Sequence, residues 1–121
     1  MNEIRAKRVY DPPGPGDGFR VLVDRFWPRR MKKEQLQAEL WLKDAAPGAS
    51  LIKWFSHDRA TWEEFKARYF AALDEQPEAV AKLLDEAARG PVTLLYSAKD
   101  TEYNQAVALQ EYLMARARES K

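Results

Sequence analysis

The chain has 121 residues and a net charge of +1, which suits one compact domain and argues against a dedicated nucleic-acid binder of strongly basic composition. It contains no cysteine, which excludes disulfides, thiolate nucleophiles and cysteine-ligated metal centres. No apolar stretch reaches the length of a membrane span or of a signal-peptide core, so we expect a cytoplasmic protein without a membrane partner.

The charge is distributed unevenly along the chain. Residues 1–33 hold nine Lys or Arg against four Asp or Glu, whereas residues 34–121 hold eleven against fifteen. Binding of long duplexes through phosphate neutralisation is therefore not favoured. If the chain binds nucleic acid, we expect it to do so through a local basic patch.

The first predicted strand covers residues 4–9, where apolar and charged positions alternate. Residues 10–18, YDPPGPGDG, follow it and form a loop, since they hold three prolines and three glycines. We interpret this loop as a surface connection. The alternative is a lid over the segment that follows, because long irregular loops in compact domains are often functional.

A second strand is predicted from Phe19, where the apolar run FRVLV is rich in β-branched and aromatic residues. Pro28 has no amide hydrogen and biases Trp27 away from the helical region, so this strand should end near Arg25 or Phe26. The chain then enters what we call the basic loop, residues 25–33. Its cations are Arg25, Arg29, Arg30, Lys32 and Lys33, and it contains no acidic residue.

The basic loop has two interpretations. It is either a solvated positive loop with Trp27 buried in the core, since charge runs are usually surface, or an anion site delivered by a core strand.

Short elements are predicted next: a helical turn at 33–36, a strand at 39–43, and a helix over 51–55 with Ser50 as its N-cap. His57, the one histidine of the chain, then stands beside Asp58. The pair is either a poised acid or base, or a helix end in which Asp58 caps the next helix. Because a single histidine cannot form the usual multi-histidine site, we predict no metal and no cofactor.

The second half of the chain is predicted with less ambiguity. Apolar residues at helical spacing indicate one helix from Trp62 to Leu73 and another from Pro77 to the stop at Gly90. The apolar run at residues 91–96 predicts a strand covered on both faces. A last helix is expected from about residue 101 to 118, capped by Asp100 or Thr101.

These elements predict an α/β fold: a single three-layer domain with a small, largely parallel central sheet flanked by helices. Ligands of such sheets bind beyond the carboxyl ends of the strands. If strands 19–25 and 92–96 are parallel neighbours, the basic loop, residues 97–100 and a helix N-terminus converge on one crevice. We expect it to bind a small anionic ligand, phosphorylated or nucleotide-like.

The candidate ligand-binding residues include the five cations of the basic loop. The others are Tyr10, Trp27, Trp54, Ser97, Lys99 and Asn104. Proton transfer could involve Asp24, His57 or Asp100, but the sequence contains no Walker loop, dinucleotide fingerprint or nucleophile elbow, so no reaction is indicated.

Several ordered segments, DGFRVLVDRFWPRRMKK, WLKDAAPG, KWFSHD, WEEFKARY and GPVTLLYSAKD, resemble the DUF488 family of small bacterial and archaeal proteins, in particular its YeaO-like branch. The resemblance implies one DUF488-like domain over residues 1–121 and no established reaction.

Two positions depart from the family pattern. The family shows W-P-R-G where this chain has Arg30 in place of the glycine, and E-H-N where it has Tyr103 in place of the histidine. Arg30 adds charge and removes backbone freedom. A tyrosine with a pKa of about 10 cannot replace a histidine in proton transfer near neutral pH, so this chain would be a binder even if relatives are catalysts.

Three hypotheses follow. The first is an anion-binding domain, with or without catalysis. The second is a nucleic-acid or regulatory module, suggested by Arg5, Lys7 and Arg8 in the same third of the chain as the basic loop. The third is a protein–protein adaptor that uses the acidic helices and no small ligand. The sequence does not indicate an oligomeric state.

Overall fold

The computed structural model describes residues 3–56 and 58–119, and the candidate His57 lies outside the described residues. The elements in chain order are β1 (Ile4–Arg8), β2 (Phe19–Leu22), α1 (Lys33–Leu36), β3 (Leu40–Trp41), α2 (Ala49–Phe55), α3 (Trp62–Asp74), α4 (Pro77–Arg89), β4 (Val92–Tyr96) and α5 (Gln105–Glu119). Short 3₁₀ turns at Lys43–Ala45 and Arg59–Thr61 precede α2 and α3. In the described part of the chain, no helix combines the length and the apolar character that crossing a bilayer requires.

The four strands of the described residues form one parallel sheet in the order β1-β4-β2-β3. Val92, at the start of β4, stands opposite Ile4 of β1 on one side and Phe19 of β2 on the other. The strands near 19–25 and 92–96 are therefore parallel neighbours, which is the condition under which the basic loop and residues 97–100 were expected to converge. The predicted α/β class, with a small parallel sheet flanked by helices, is confirmed.

Both faces of the sheet are covered, which explains why all five residues of β4 are buried. One face packs against α3, α4 and α5 and forms the larger core. The strand residues on this face are Ile4, Val21, Val23, Val92, Leu94 and Tyr96. The opposite face carries Leu22 and Leu95, which pack on Leu36 of α1. The third layer is thus thin, consisting of one helical turn and the adjoining loops.

A buried ion pair fastens the loop after β1 to the sheet. Arg20 donates from Nη1 to Oδ2 of Asp17 at 2.5 Å and from Nη2 to the Leu36 carbonyl at 2.5 Å. Lys7 adds a second cation, with Nζ 3.1 Å from the same Asp17 oxygen. Burial raises the pKa of Asp17, but hydrogen bonds from Gly14, Lys7 and Arg20 outweigh it and leave the pKa below its ordinary value.

The predicted start of α2 is wrong by two residues. The helix begins at Ala49 after Gly48, whose extended backbone at φ −64° and ψ 156° forms the N-cap, and the amide of Ile52 donates to the Gly48 carbonyl. Ser50 is therefore inside the first turn. By contrast, Asp58 caps the following turn, as one of the two interpretations of the His57 and Asp58 pair expects, since its side chain accepts from the amide of Ala60 at 3.0 Å.

The predicted start of the last helix is also wrong. α5 begins at Gln105, and its cap is Asn104, whose Oδ1 accepts from the amide of Val107 at 3.0 Å. Asp100 instead accepts from the amides of Glu102 and Tyr103, both at 3.0 Å. This side-chain turn competes with helix formation, so residues 101–104 stay outside the helix.

Candidate ligand-binding site

A cavity of about 410 Å³ lies beyond the carboxyl ends of β2 and β4. Its polar lining residues are Tyr10, Asp24, Arg25, Arg29, Ser97 and Gln105. Its apolar lining residues are Phe26, Trp27, Pro28, Pro47, Ile52, Phe55, Phe65 and Ala98. Pockets for small molecules usually have volumes of about 300 to 1,000 Å³ and mix apolar walls with a few polar groups. Both the place and the size therefore suit a small ligand.

Asp24 contributes a buried carboxylate to the cavity and is 6% exposed. Its Oδ2 accepts from the amide and the hydroxyl of Ser97, at 3.1 and 2.6 Å, and its Oδ1 accepts from the side-chain amide of Gln105. Burial raises the pKa of Asp24 above its ordinary value of 3.8, although these hydrogen bonds act in the opposite direction. The cavity thus contains a carboxyl group that is fixed in place and costly to ionise.

Trp27 and Trp41 hold the basic loop against the end of β2. The indole of Trp27 donates to the Met31 carbonyl at 2.6 Å, and the indole of Trp41 donates to the backbone carbonyl of Asp24 at 2.8 Å. The two rings meet edge to face with centroids 5.4 Å apart. Because Trp27 is 37% exposed and lines the cavity, it is not a core side chain.

Tyr10 joins the end of the first strand to the basic loop. Its hydroxyl donates to the Arg29 carbonyl at 3.0 Å, and the Arg8 guanidinium lies 5.0 Å from its ring centre. Arg8 itself donates to the Ala98 carbonyl at 2.9 Å. The ring of Tyr10, which belongs to the loop at residues 10–18, thus forms part of the cavity wall.

The cations of the basic loop carry uncompensated charge. Among the residues that the structure describes, none of the five has a carboxylate oxygen within 4.0 Å. Arg25 and Arg29 line the cavity, whereas Arg30, Lys32 and Lys33 lie outside it and are exposed. Arg30 adopts a left-handed backbone with φ 59°, a conformation that glycine adopts without strain.

Asp100 and Asn104 do not line the cavity. Asp100 forms a two-pronged ion pair with Arg59, at 3.1 and 3.3 Å. Hydrogen bonds from the amides of Glu102 and Tyr103, and then the Arg59 contact, hold the pKa of Asp100 below its ordinary value despite the opposing effect of burial. Asn104 is fully buried and caps α5. In this structure both residues stabilise the turn before α5.

Three further residues named in the sequence analysis also lie elsewhere. Trp54 is exposed, and the guanidinium of Arg68 lies over its ring, 4.3 Å from the ring centre. Lys99 is exposed and outside the lining. Tyr103 stacks on Trp62 with ring centres 5.2 Å apart.

Gln105 is a lining residue that sequence reasoning missed. The predicted helix started near residue 101, which placed Gln105 inside its second turn instead of at its first position. No group of three or more carboxylate or imidazole side chains among the described residues is arranged to hold a metal ion.

Comparison with known proteins identifies the family. Residues 3–121 match the family described as the inactive DUF488-N3 subclade. The chain is 42% identical over 110 residues to the uncharacterised protein YeaO of Escherichia coli K12, which covers 91% of this chain and 96% of YeaO. It is 34% identical over 113 residues to uncharacterised proteins of Mycobacterium bovis and Mycobacterium tuberculosis, covering 93% of this chain and 95% of each. No solved structure matches the chain significantly. The chain therefore belongs to the DUF488 family, within the subclade whose description is inactive DUF488-N3.

Proposed function

We propose that the cavity binds a phosphorylated or nucleotide-like small molecule, with Arg25 and Arg29 as its anion contacts. The observation that carries the proposal is that two guanidinium groups, with no carboxylate partner among the described residues, and a buried carboxyl group line one cavity at the carboxyl ends of parallel strands. Guanidinium groups match the geometry of phosphate and carboxylate oxygens, and they bind such anions through paired hydrogen bonds.

The charges of the cavity also orient the ligand. Asp24 repels an anion when ionised, so the phosphate of the ligand lies beside Arg25 and Arg29. The part of the ligand that faces Asp24 carries hydroxyl or amino donors, as a sugar does. Tyr10 and Trp27 provide flat surfaces for a base or sugar ring. A sugar phosphate or a nucleotide has this distribution of charge and donors.

We further propose that the chain binds this ligand without transforming it. The subclade that it matches is described as inactive. Asp100 is paired with Arg59, and Tyr103 stacks on Trp62 away from the cavity lining. Asp24 is then the one proton-transfer candidate among the described residues that lines the cavity. The cytoplasmic location predicted from the sequence stays a prediction.

A thermal-shift screen against phosphate, sugar phosphates and nucleotides tests the proposal. A ligand at about 100 times its dissociation constant adds about 2.7 kcal/mol to folding stability. We expect Arg25→Ala and Arg29→Ala to abolish the shift caused by the active compound. Arg30→Ala is the matched control, because it removes the same charge from an adjacent residue outside the cavity.

Two results would contradict the proposal. If no compound in the screen shifts the melting temperature, the cavity is not an anion site. If Arg29→Ala and Arg30→Ala reduce the shift equally, the attraction comes from the charge of the whole loop and not from a cavity.

A further inference from the structure

We infer that the basic loop extends this site into a binding track for single-stranded nucleic acid, with one nucleotide in the cavity and its neighbours along residues 25–33. The inference rests on the proposed function, because the cavity supplies the position for the first nucleotide. It concerns features of the loop to which the proposed function assigns no role.

Phe26 is the first of these features. It lines the cavity and is 65% exposed, so a large part of its apolar ring is in contact with water at the cavity. Stacking of a base on an aromatic ring strengthens binding by about 5- to 150-fold per base, and it suits any base because every base has a π-face. A nucleotide adjacent to the one in the cavity would cover this ring.

The outer cations are the second feature. Arg30, Lys32 and Lys33 are exposed, lie outside the cavity, and have no carboxylate within ion-pair distance in the described parts of the chain. By contrast, Arg5 and Lys7 of the same basic third of the chain are paired with Glu3 and Asp17. Phosphates that follow the first nucleotide would meet this unpaired charge.

The arrangement favours a single strand over a duplex. Base faces are free to stack on aromatic side chains only when they are not already stacked in a helix. The aromatic surfaces at the cavity are also held in place before binding, since Trp27 and Tyr10 each donate a hydrogen bond to a backbone carbonyl of the loop. Such preorganisation lowers the entropy cost of binding.

Titration of the protein with thymidine monophosphate and with oligothymidylates of two, four and six nucleotides tests the inference, and a uridylate series separates DNA from RNA. We expect affinity to rise with length by more than the roughly sixfold that repetition of identical binding frames gives. The double variant Arg30→Ala with Lys32→Ala should lose most of this gain, lower the magnitude of the salt slope by about 1.4, and leave the monophosphate affinity unchanged. The matched control, Lys53→Ala with Arg118→Ala, removes one lysine and one arginine elsewhere and should change neither.

The outcomes separate this inference from the function it rests on. If the monophosphate binds and longer strands bind no tighter, the track is overturned and the cavity stands. If neither binds, the track is overturned, and the thermal-shift screen decides separately whether the cavity binds another phosphorylated compound. If long strands bind but Arg29→Ala has no effect on them, the strand does not pass through the cavity, and the anchored track is overturned. If a duplex binds tighter than the single strand, stacking on Phe26 is not the mode of binding.

Discussion

Asp24 and Ser97 connect the ends of the two inner strands: one carboxylate oxygen of Asp24 accepts from both the amide and the hydroxyl of Ser97, at 3.1 and 2.6 Å. The bond places a buried carboxyl group at the point where β2 and β4 lead into their loops. The cost of ionising that group provides a direct test of the arrangement.

We expect Asp24→Asn to flatten the pH dependence of stability on the acid side. Burial raises the folded-state pKa of Asp24 above 3.8, so the folded protein holds this proton more tightly than the unfolded chain. The contribution of Asp24 is therefore fully present below 3.8 and is lost as the pH rises through the raised pKa. Urea unfolding from about pH 3 to pH 7 measures the difference between variant and wild type. If the unfolding free energies of the variant and the wild type change in parallel with pH, ionisation of Asp24 costs the folded protein no stability.

Asp17 should show the opposite pH dependence. Although burial raises its pKa, hydrogen bonds from Gly14, Lys7 and Arg20 dominate and lower it. Its contribution is therefore present above 3.8 and is lost as the pH falls through the lowered folded-state pKa. We expect Asp17→Asn to remove that part of the acid sensitivity. The prediction is contradicted if the difference in unfolding free energy between wild type and Asp17→Asn stays the same as the pH falls into the acid range.

Arg20→Met should be strongly destabilising. The substitution leaves Asp17 buried with Lys7 as its remaining cation, and breaking a buried pair from one side costs about 3 to 5 kcal/mol. Arg5→Met is the matched control, because Arg5 and Glu3 form an exposed pair in which both side chains are more than 40% accessible. Exposed pairs contribute about 0 to 1 kcal/mol. Equal losses of unfolding free energy in urea would show that the Arg20 pair is not what fastens the loop.

Gly18→Ala should destabilise the fold through the backbone. Gly18 has φ 64°, and a Cβ on it would stand 2.2 Å from the Pro91 carbonyl oxygen. The left-handed conformation alone costs an alanine about 1 to 2 kcal/mol, and the contact with a backbone atom adds to that cost. Gly90→Ala is the control, since its backbone is extended and nothing lies within 4 Å of the new methyl group. Thermal unfolding of the two variants should differ by several degrees, and similar melting temperatures would refute the prediction.

Arg30→Gly should stabilise the protein slightly. Arg30 has φ 59°, and glycine adopts this conformation without strain. The relief of about 1 to 2 kcal/mol is partly offset by the greater freedom of glycine in the unfolded chain, about 0.4 to 1 kcal/mol. Arg30→Ala separates strain from charge, because it removes the guanidinium and keeps the strain. If both variants unfold at the same urea concentration, the strain at Arg30 does not exceed the entropy cost of the glycine, which contradicts the prediction.

The inner strands could be predicted from the sequence because their residues favour a strand over a helix. The runs beginning at Phe19 and Val92 are apolar and β-branched, and each is followed by a break, so strand identity could be inferred, whereas the direct pairing of the two strands remained a condition. The loop that leaves β2 and the residue that follows β4, Ser97, were thereby placed at one edge of the sheet. Five of the eleven candidate ligand-binding residues line the cavity there: Tyr10, Arg25, Trp27, Arg29 and Ser97.

Other features depend on contacts that local patterns do not encode. Asp100, Thr101 and Asn104 are all acceptable caps, and the choice of Asn104 is made by the turn that Asp100 forms with the amides that follow it. Arg20 resembles a surface cation in sequence, yet it is buried because the glycine-rich loop folds back to bring Asp17 against it. Trp54 contacts Arg68 of the next helix instead of the cavity.

The central position of β4 has a consequence for how the chain folds. β1 and β2 do not pair with each other, and each is joined to the sheet through β4, which comes more than 60 residues after β2 along the chain. During synthesis the ribosome therefore releases three strands and four helices before the strand that unites β1 with β2 exists. Long-range pairing of this kind makes folding slow relative to helix formation. The protein consequently completes its sheet, and with it the cavity, only after β4 has been made.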